Sequence, residues 1–334
     1  MRSEVEVFHS DREKRKKYLI ATLTTCIAVT FIGSVLHVVD LGTNRIAEMK
    51  SKATYDPKQV MAHVRASGEE VETHQANEAG IDAKGYTTAE AQALLSPEKW
   101  KMLDTMVEIP AGAFRMGTDM ERADPQNGPE HMVDLPAYRI DKYLVTNAQY
   151  ARFVAETGYR APLDWKGGKI PRGQEMNPVT MVTWGDAEAY AKWAHKRLPT
   201  EAEWEKAARG TDGRRWPWGN KMDPSRLNTY YTVGATTPVD RYPGGASPYG
   251  LLDMAGNVNE WTASDFLPYQ GTKASLDMFD VGGGERTRRI HYKVLRGGTW
   301  RSDPFSTQTF HRNFSLPNYA SDFYGFRCAS DVKE

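Results

Sequence analysis

The chain begins polar and basic, turns apolar without interruption from Tyr18 to Val39, becomes polar again, and from about residue 107 is a dense mixture of aromatics, Gly and Pro. The apolar stretch YLIATLTTCIAVTFIGSVLHVV carries no formal charge. At about 1.5 Å per residue, a helix of that length crosses a hydrocarbon core of about 30 Å. Residues 18–39 are therefore expected to form one transmembrane helix in a lipid bilayer. Arg12, Lys14, Arg15, Lys16 and Lys17 precede it, while the cations after it are sparser and mixed with Asp40, Glu48 and Asp56. That asymmetry places the 1–17 tail in the cytoplasm and the rest outside it, in the periplasm if the source is bacterial. A cleaved signal peptide would have a shorter apolar core, roughly 7–15 residues, and an A-x-A-like site, which does not follow Val39.

Residues 40–106 read as a polar, partly helical linker. Thr87 and Glu90 make a capping box ahead of Ala91, Ala93, Leu94 and Leu95, and Pro97 ends or restarts that helix. The segment suits a spacer between bilayer and domain, or a docking element for a partner subunit.

Residues 107–334 read as one domain. VEIPAGAFRMG predicts a strand pair around the Pro110–Gly112 turn, and HMVDLPAYRID alternates as a single strand should. Thr146 and Gln149 form a capping box for a helix whose Tyr150, Phe153 and Val154 share a face and which Gly158 stops. A second helix is expected at about 185–195. A third lies in RLPTEAEWEKAARG, with Thr200 as N-cap, Glu203 reaching back and Gly210 past the end. Beyond Gly210 loops and short strands should dominate.

Charge excludes one class of partner. Basic and acidic residues balance at 43 each, and no RNA-binding or DNA-reading motif is present, so nucleic acid is set aside. The two cysteines, Cys26 within the apolar span and Cys328 near the end, cannot meet, so no internal disulfide is expected outside the membrane. Cys328 reads as a small buried apolar residue. His131, His291 and His311 are isolated, with no paired-histidine metal pattern, and read as structural. GGG at 282–284 lacks the strand and helix of a phosphate loop and reads as a flexible loop.

RLPTEAEWEKAARG (197–210), GLLDMAGNVNEWT (250–262), LRGGTW (295–300) and GFRCA (325–329) closely resemble the formylglycine-generating enzyme family, also called the sulfatase-modifying factor family. The resemblance covers roughly residues 107–331. It implies an α+β, C-type-lectin-like fold with little regular secondary structure, here behind one N-terminal transmembrane helix. Enzymes of the family oxidise a substrate cysteine with a copper-binding cysteine pair. Counting from LRGGTW puts the matching positions at Ser302 and Thr307, and counting back from GFRC moves the second to about Pro304. Between LRGGTW and GFRCA there is no cysteine at all. Hydroxyls do not replace the soft thiolates that hold Cu(I), so no copper and no family-type oxidation are expected. Ser302, Asp303 and His311 lie close in sequence, which is no triad by itself.

The resemblance also implies a calcium site, formed by the side chains of Asp253 and Glu260 and the carbonyls of Gly256 and Val258. Two carboxylates around a tight Gly-Asn turn suit a hard cation. Asn259 stands where the family has Trp, which alters packing rather than the ligands. A second family calcium site matches Asn228, but the loop from Tyr230 to Thr237 contains no acid.

Around the missing cysteines lie Trp300, Arg301, His311 and Arg312 with Phe305, Phe310, Phe314 and Tyr319. Aromatics and arginines in a loop-built face suit contact with a partner or ligand, and Arg312 is the foremost candidate. For Trp300 and Phe326 a role in filling the core is the preferred reading. The expected function is a catalytically inactive, membrane-anchored accessory or assembly subunit of a membrane or periplasmic complex. A metal-dependent oxygenase or a maturation factor for an exported redox protein is one alternative, and a lectin-like peptide or glycan binding module is another.

Overall fold

The computed structural model describes residues 85–279 and 291–332, all within the unit Glu78–Glu334. The expected tail, the 18–39 span, much of the linker and the 282–284 loop lie outside the described residues. Among those described, no helix is long and apolar enough to cross a membrane.

Two short helices come first, α1 (Thr88–Gln92) and α2 (Pro97–Leu103). Thr87 and Glu90 close the capping box of α1, and Ser96 with Pro97 starts α2. Ala91 is fully buried in the main aromatic core, and the Trp100 indole donates to Gln92 O at 2.9 Å.

Strands β1 (Met106–Ile109), β2 (Gly112–Met116), β3 (His131–Leu135) and β4 (Tyr138–Asp141) follow. β1 and β2 flank the predicted turn but do not pair with each other. β1 pairs with β4 and β2 with β3, each antiparallel. The turn is held from outside instead, because buried Lys206 donates to Pro110 O and Gly112 O, both at 2.7 Å. The alternating run 131–141 is likewise two strands rather than one. It breaks at Pro136, whose missing N–H cannot continue a ladder, and its halves join different sheets.

The three longer helices start and stop where their caps dictate. α3 (Asn147–Thr157) begins at the Thr146–Gln149 box and ends at Gly158, which takes φ 70°. α4 (Trp184–Trp193) begins at a Thr183–Asp186 box. α5 (Glu201–Arg209) begins at the Thr200–Glu203 box and ends at Gly210. α3 and α4 bury Tyr150, Phe153 and Tyr190 against Trp165, Trp261 and Phe326.

The second half contributes β5 (Asn259–Asp265), β6 (Lys293–Arg296), β7 (Asn313–Ser315), β8 (Tyr324–Gly325) and β9 (Ala329–Asp331). One sheet runs β7-β6-β5-β8, with β5 and β8 parallel, and β9 returns to β4 to complete β1-β4-β9. Cys328, beside β9, is buried, and its N–H donates to Asp141 Oδ2 at 3.0 Å.

Candidate functional site

Charged side chains bind this scaffold from within. Glu201, Glu205 and Arg209 recur every four residues on α5 and so share one face, which is buried. Glu205 accepts from Arg209 Nη1 at 2.6 Å, from Gly117 N–H at 2.8 Å and from Arg296 Nη2. Glu201 accepts from Arg312 Nε at 2.7 Å and Nη2 at 3.0 Å. A buried charge stripped of its partner is costly, so these residues hold one another in register.

Arg312, the foremost sequence candidate for partner contact, is therefore a core residue and does not face a partner. It is 2% exposed. Beyond Glu201, it donates to Gln126 O and Leu267 O and lies over the Tyr269 ring at 3.9 Å. His311 beside it is partly buried, with Nδ1 3.5 Å from Asn127 Nδ2. Burial lowers its pKa below the ordinary imidazole range. His131 also acts locally, with Nδ1 2.9 Å from Pro129 O and its ring edge against Tyr269. No local pattern marks Glu201, Glu205 and Arg209 as interior, because a charged helix face normally meets solvent.

The loop 253–260 brings the four expected calcium ligands into one stretch. Asp253 and Asn257 both adopt positive φ, which turns the chain tightly. The Asp253 carboxylate accepts from Asn257 Nδ2 at 3.0 Å, and burial pushes its pKa up to about 7. None of the loop and turn hydrogen bonds among the described residues ends on the carbonyl oxygens of Gly256 or Val258. Glu260 differs, because Arg327 supplies it with a counterion inside the core. Of the two carboxylates, Glu260 thus has a buried arginine as its hydrogen-bond partner and Asp253 an amide. Asn228 stands at the start of the acid-free loop, and its buried Oδ1 has no hydrogen-bond partner among the described residues. Its Nδ2 donates to Ala235 O at 2.8 Å, so an amide closes the acid-free loop after it.

At the positions matching the family's cysteines, side-chain hydroxyls are engaged within the protein. Ser302 Oγ accepts from Thr299 N–H at 2.9 Å. Thr307 is buried, donates to Pro304 O at 2.8 Å and accepts from the Trp216 indole at 3.1 Å. Asp303 caps the short turn Pro304–Thr307, and His311 faces Asn127, so Ser302, Asp303 and His311 form no triad. Among the described residues, no group of three or more His, Cys, Asp or Glu is arranged to hold a metal ion.

What remains at the surface here is aromatic. The Arg301 guanidinium lies between the rings of Trp300 and Phe323, at 4.3 and 4.9 Å, and pairs with Asp322. Trp300 is 7% exposed and meets Tyr231 edge-on. Tyr230, Tyr231 and Phe305 are exposed around them, while Phe326 is fully buried. Arg301 is thus half-buried over a buried Trp300, while Arg312 is in the interior.

Short sheets of mixed pairing, three capped helices and long loops tied by buried ion pairs define a formylglycine-generating-enzyme-type scaffold. Residues 91–332 match the family described as sulfatase-modifying factor enzyme 1-like domain, and the chain belongs to that family. It is 36% identical to the formylglycine-generating enzyme of Mycobacterium tuberculosis over 299 residues, 69% of this chain and 99% of that one. It is 35% identical to hercynine oxygenase of Mycolicibacterium smegmatis, over 68% of this chain and 61% of the relative. It is 33% identical to the inactive C-alpha-formylglycine-generating enzyme 2 of Bos taurus, over 67% and 87%. The solved structure of PvdO from Pseudomonas aeruginosa superposes with a TM-score of 0.55 at 28% identity, covering 68% of this chain and 94% of that one. The chain spans 38% to 61% of the length of four longer curated relatives, hercynine oxygenase among them.

Proposed function

We propose that this chain is a catalytically inactive member of its family, anchored in the membrane by residues 18–39. Its C-type-lectin-like domain lies outside the cytoplasm and acts as an accessory or assembly subunit of a membrane or periplasmic complex. The observation that carries the proposal is the engagement of Ser302 and Thr307 in the protein's own hydrogen bonds, with no thiol between LRGGTW and GFRCA. A relative named as inactive supports the reading. Calcium is a structural ion held by Asp253, Gly256, Val258 and Glu260, and the accessible part of the contact face centres on half-buried Arg301, which covers the buried Trp300. Gentle detergent extraction of the native protein, followed by affinity purification, recovers partner chains in fixed stoichiometry. A clean monomer sinks the proposal.

A second reading is an oxygenase or a maturation factor for an exported redox protein, favoured by the likeness to hercynine oxygenase. Elemental analysis separates the two, since redox-active iron or copper at about one per chain supports this reading and calcium alone supports the first. A lectin-like peptide or glycan binding role uses the same face, and binding of a defined peptide or glycan that is lost on Arg301→Ala would support it.

A further inference from the structure

We propose that residues 230–234 form a hinged flap over Trp300, strained when closed, whose opening uncovers the Trp300 indole. Tyr230 and Tyr231 take φ 54° and 56°, and of the described non-glycine residues with positive φ only these two adjoin. A Cβ in that region crowds the following carbonyl, a cost that glycine avoids. Both rings are nearly half exposed, so core packing does not impose the conformation.

The flap is anchored at both ends and closed on itself by Thr232, whose N–H and Oγ1 both donate to Thr229 O, at 3.0 and 2.7 Å. Thr229 Oγ1 donates to Ser302 O at 2.7 Å, and Asn228 Nδ2 holds Ala235 O. Across the gap, Tyr230 N–H donates to Ser302 O at 3.0 Å and Tyr231 N–H to Trp300 O at 2.8 Å. Residues 230–235 are otherwise exposed, and Gly234 at φ 80° provides a hinge. When closed, the flap sets Tyr231 edge-on to the Trp300 ring, at 5.5 Å between centroids. Beneath it the Trp300 Nε1–H has no acceptor, and the neighbouring Arg301 Nε–H has none either. A buried unpaired donor is unfavourable. Opening that unwinds the turn relieves two left-handed residues and frees a donor, and the cost is the backbone bonds of Tyr230, Tyr231 and Thr232 N–H together with the Thr232 Oγ1 bond to Thr229 O. A group presenting an acceptor oxygen, such as a carbonyl or carboxylate, is what the open form would receive.

The inference rests on reading this face as the contact face, but its test uses the chain alone, so the two can fail separately. Amide hydrogen exchange is measured on the full chain in detergent, for wild type, Tyr230→Gly and Tyr230→Ala. In wild type, the amides of Tyr230 and Tyr231 exchange on the order of 100-fold faster than those of Gly256 and Asn257, which lie in the core. Tyr230→Gly removes one strained Cβ and slows exchange at Tyr231 by about 5-fold or more, whereas Tyr230→Ala keeps the Cβ and does not. Oxidation of Trp300 by N-bromosuccinimide, read by peptide mass, slows in step with exchange in Tyr230→Gly. Core-like protection in wild type, an equal effect of Gly and Ala, or Trp300 oxidation that ignores the glycine variant overturns the proposal.

Discussion

Arg327 grips both carboxylate oxygens of Glu260, Nε to Oε2 at 2.6 Å and Nη2 to Oε1 at 2.9 Å, with both side chains fully out of solvent. The remaining Arg327 donors reach the carbonyls of Asp141, Lys142 and Leu252. Glu260 is thus a structural residue whether or not a cation is bound. In the Asp253→Ala, Glu260→Ala double variant, Arg327 is left buried without its partner, and stability falls by about 3–5 kcal/mol from that cause alone. The calcium assignment is tested by a difference. Calcium raises the melting temperature of the wild type over its chelated form and leaves the double variant unmoved. A wild-type melting temperature indifferent to chelator removes the site.

Asp253 makes the cation-free protein sensitive to pH. Its folded pKa is raised from 3.8 to about 7, so the folded state holds the proton more tightly than the unfolded chain. The resulting stabilisation is present below about pH 4 and is lost as pH rises through 7. In chelator, wild type therefore loses stability relative to Asp253→Asn between pH 5 and 8. Added calcium stabilises wild type more strongly at pH 8 than at pH 5, because the cation competes with that proton. Parallel stability curves for the two proteins in chelator would contradict the assignment.

Arg312→Met leaves Glu201 in the interior with only Arg296 Nε nearby, at 3.8 Å. The expected loss is about 3–5 kcal/mol in denaturant unfolding. Any drop in partner recovery should track the folded fraction. A well-folded Arg312 variant that fails to bind would restore Arg312 as a contact residue.

Arg301→Ala should behave in the opposite way. Its pair with Asp322 is partly exposed, so stability changes by no more than about 1 kcal/mol. Recovery of partner chains falls severalfold, because the planar cation between Trp300 and Phe323 is lost from the contact face. Unchanged recovery by quantitative mass spectrometry would move the contact elsewhere.

The family and the local punctuation of the fold were legible from the order of residues alone. Capping boxes at Thr87, Thr146 and Thr200, with the stop at Gly158, depend on residues three or four positions apart, so they are legible without knowing the fold. The motifs from RLPTEAEWEKAARG to GFRCA were legible for the same reason, as was the burial of Cys328. Strand pairing was not, because a strand's partner is chosen across the molecule. The turn at Pro110–Gly112 suggested a hairpin, yet Lys206 captures its carbonyls and each strand pairs elsewhere. The interior charges were hidden for a related reason. Glu205 and Arg312 look like surface residues until the fold brings Arg209 and Arg296 to the first and Glu201 to the second. Only tertiary structure could separate Arg312 in the core from Arg301 at the surface, since desolvation and pairing depend on what distant segments bring within reach.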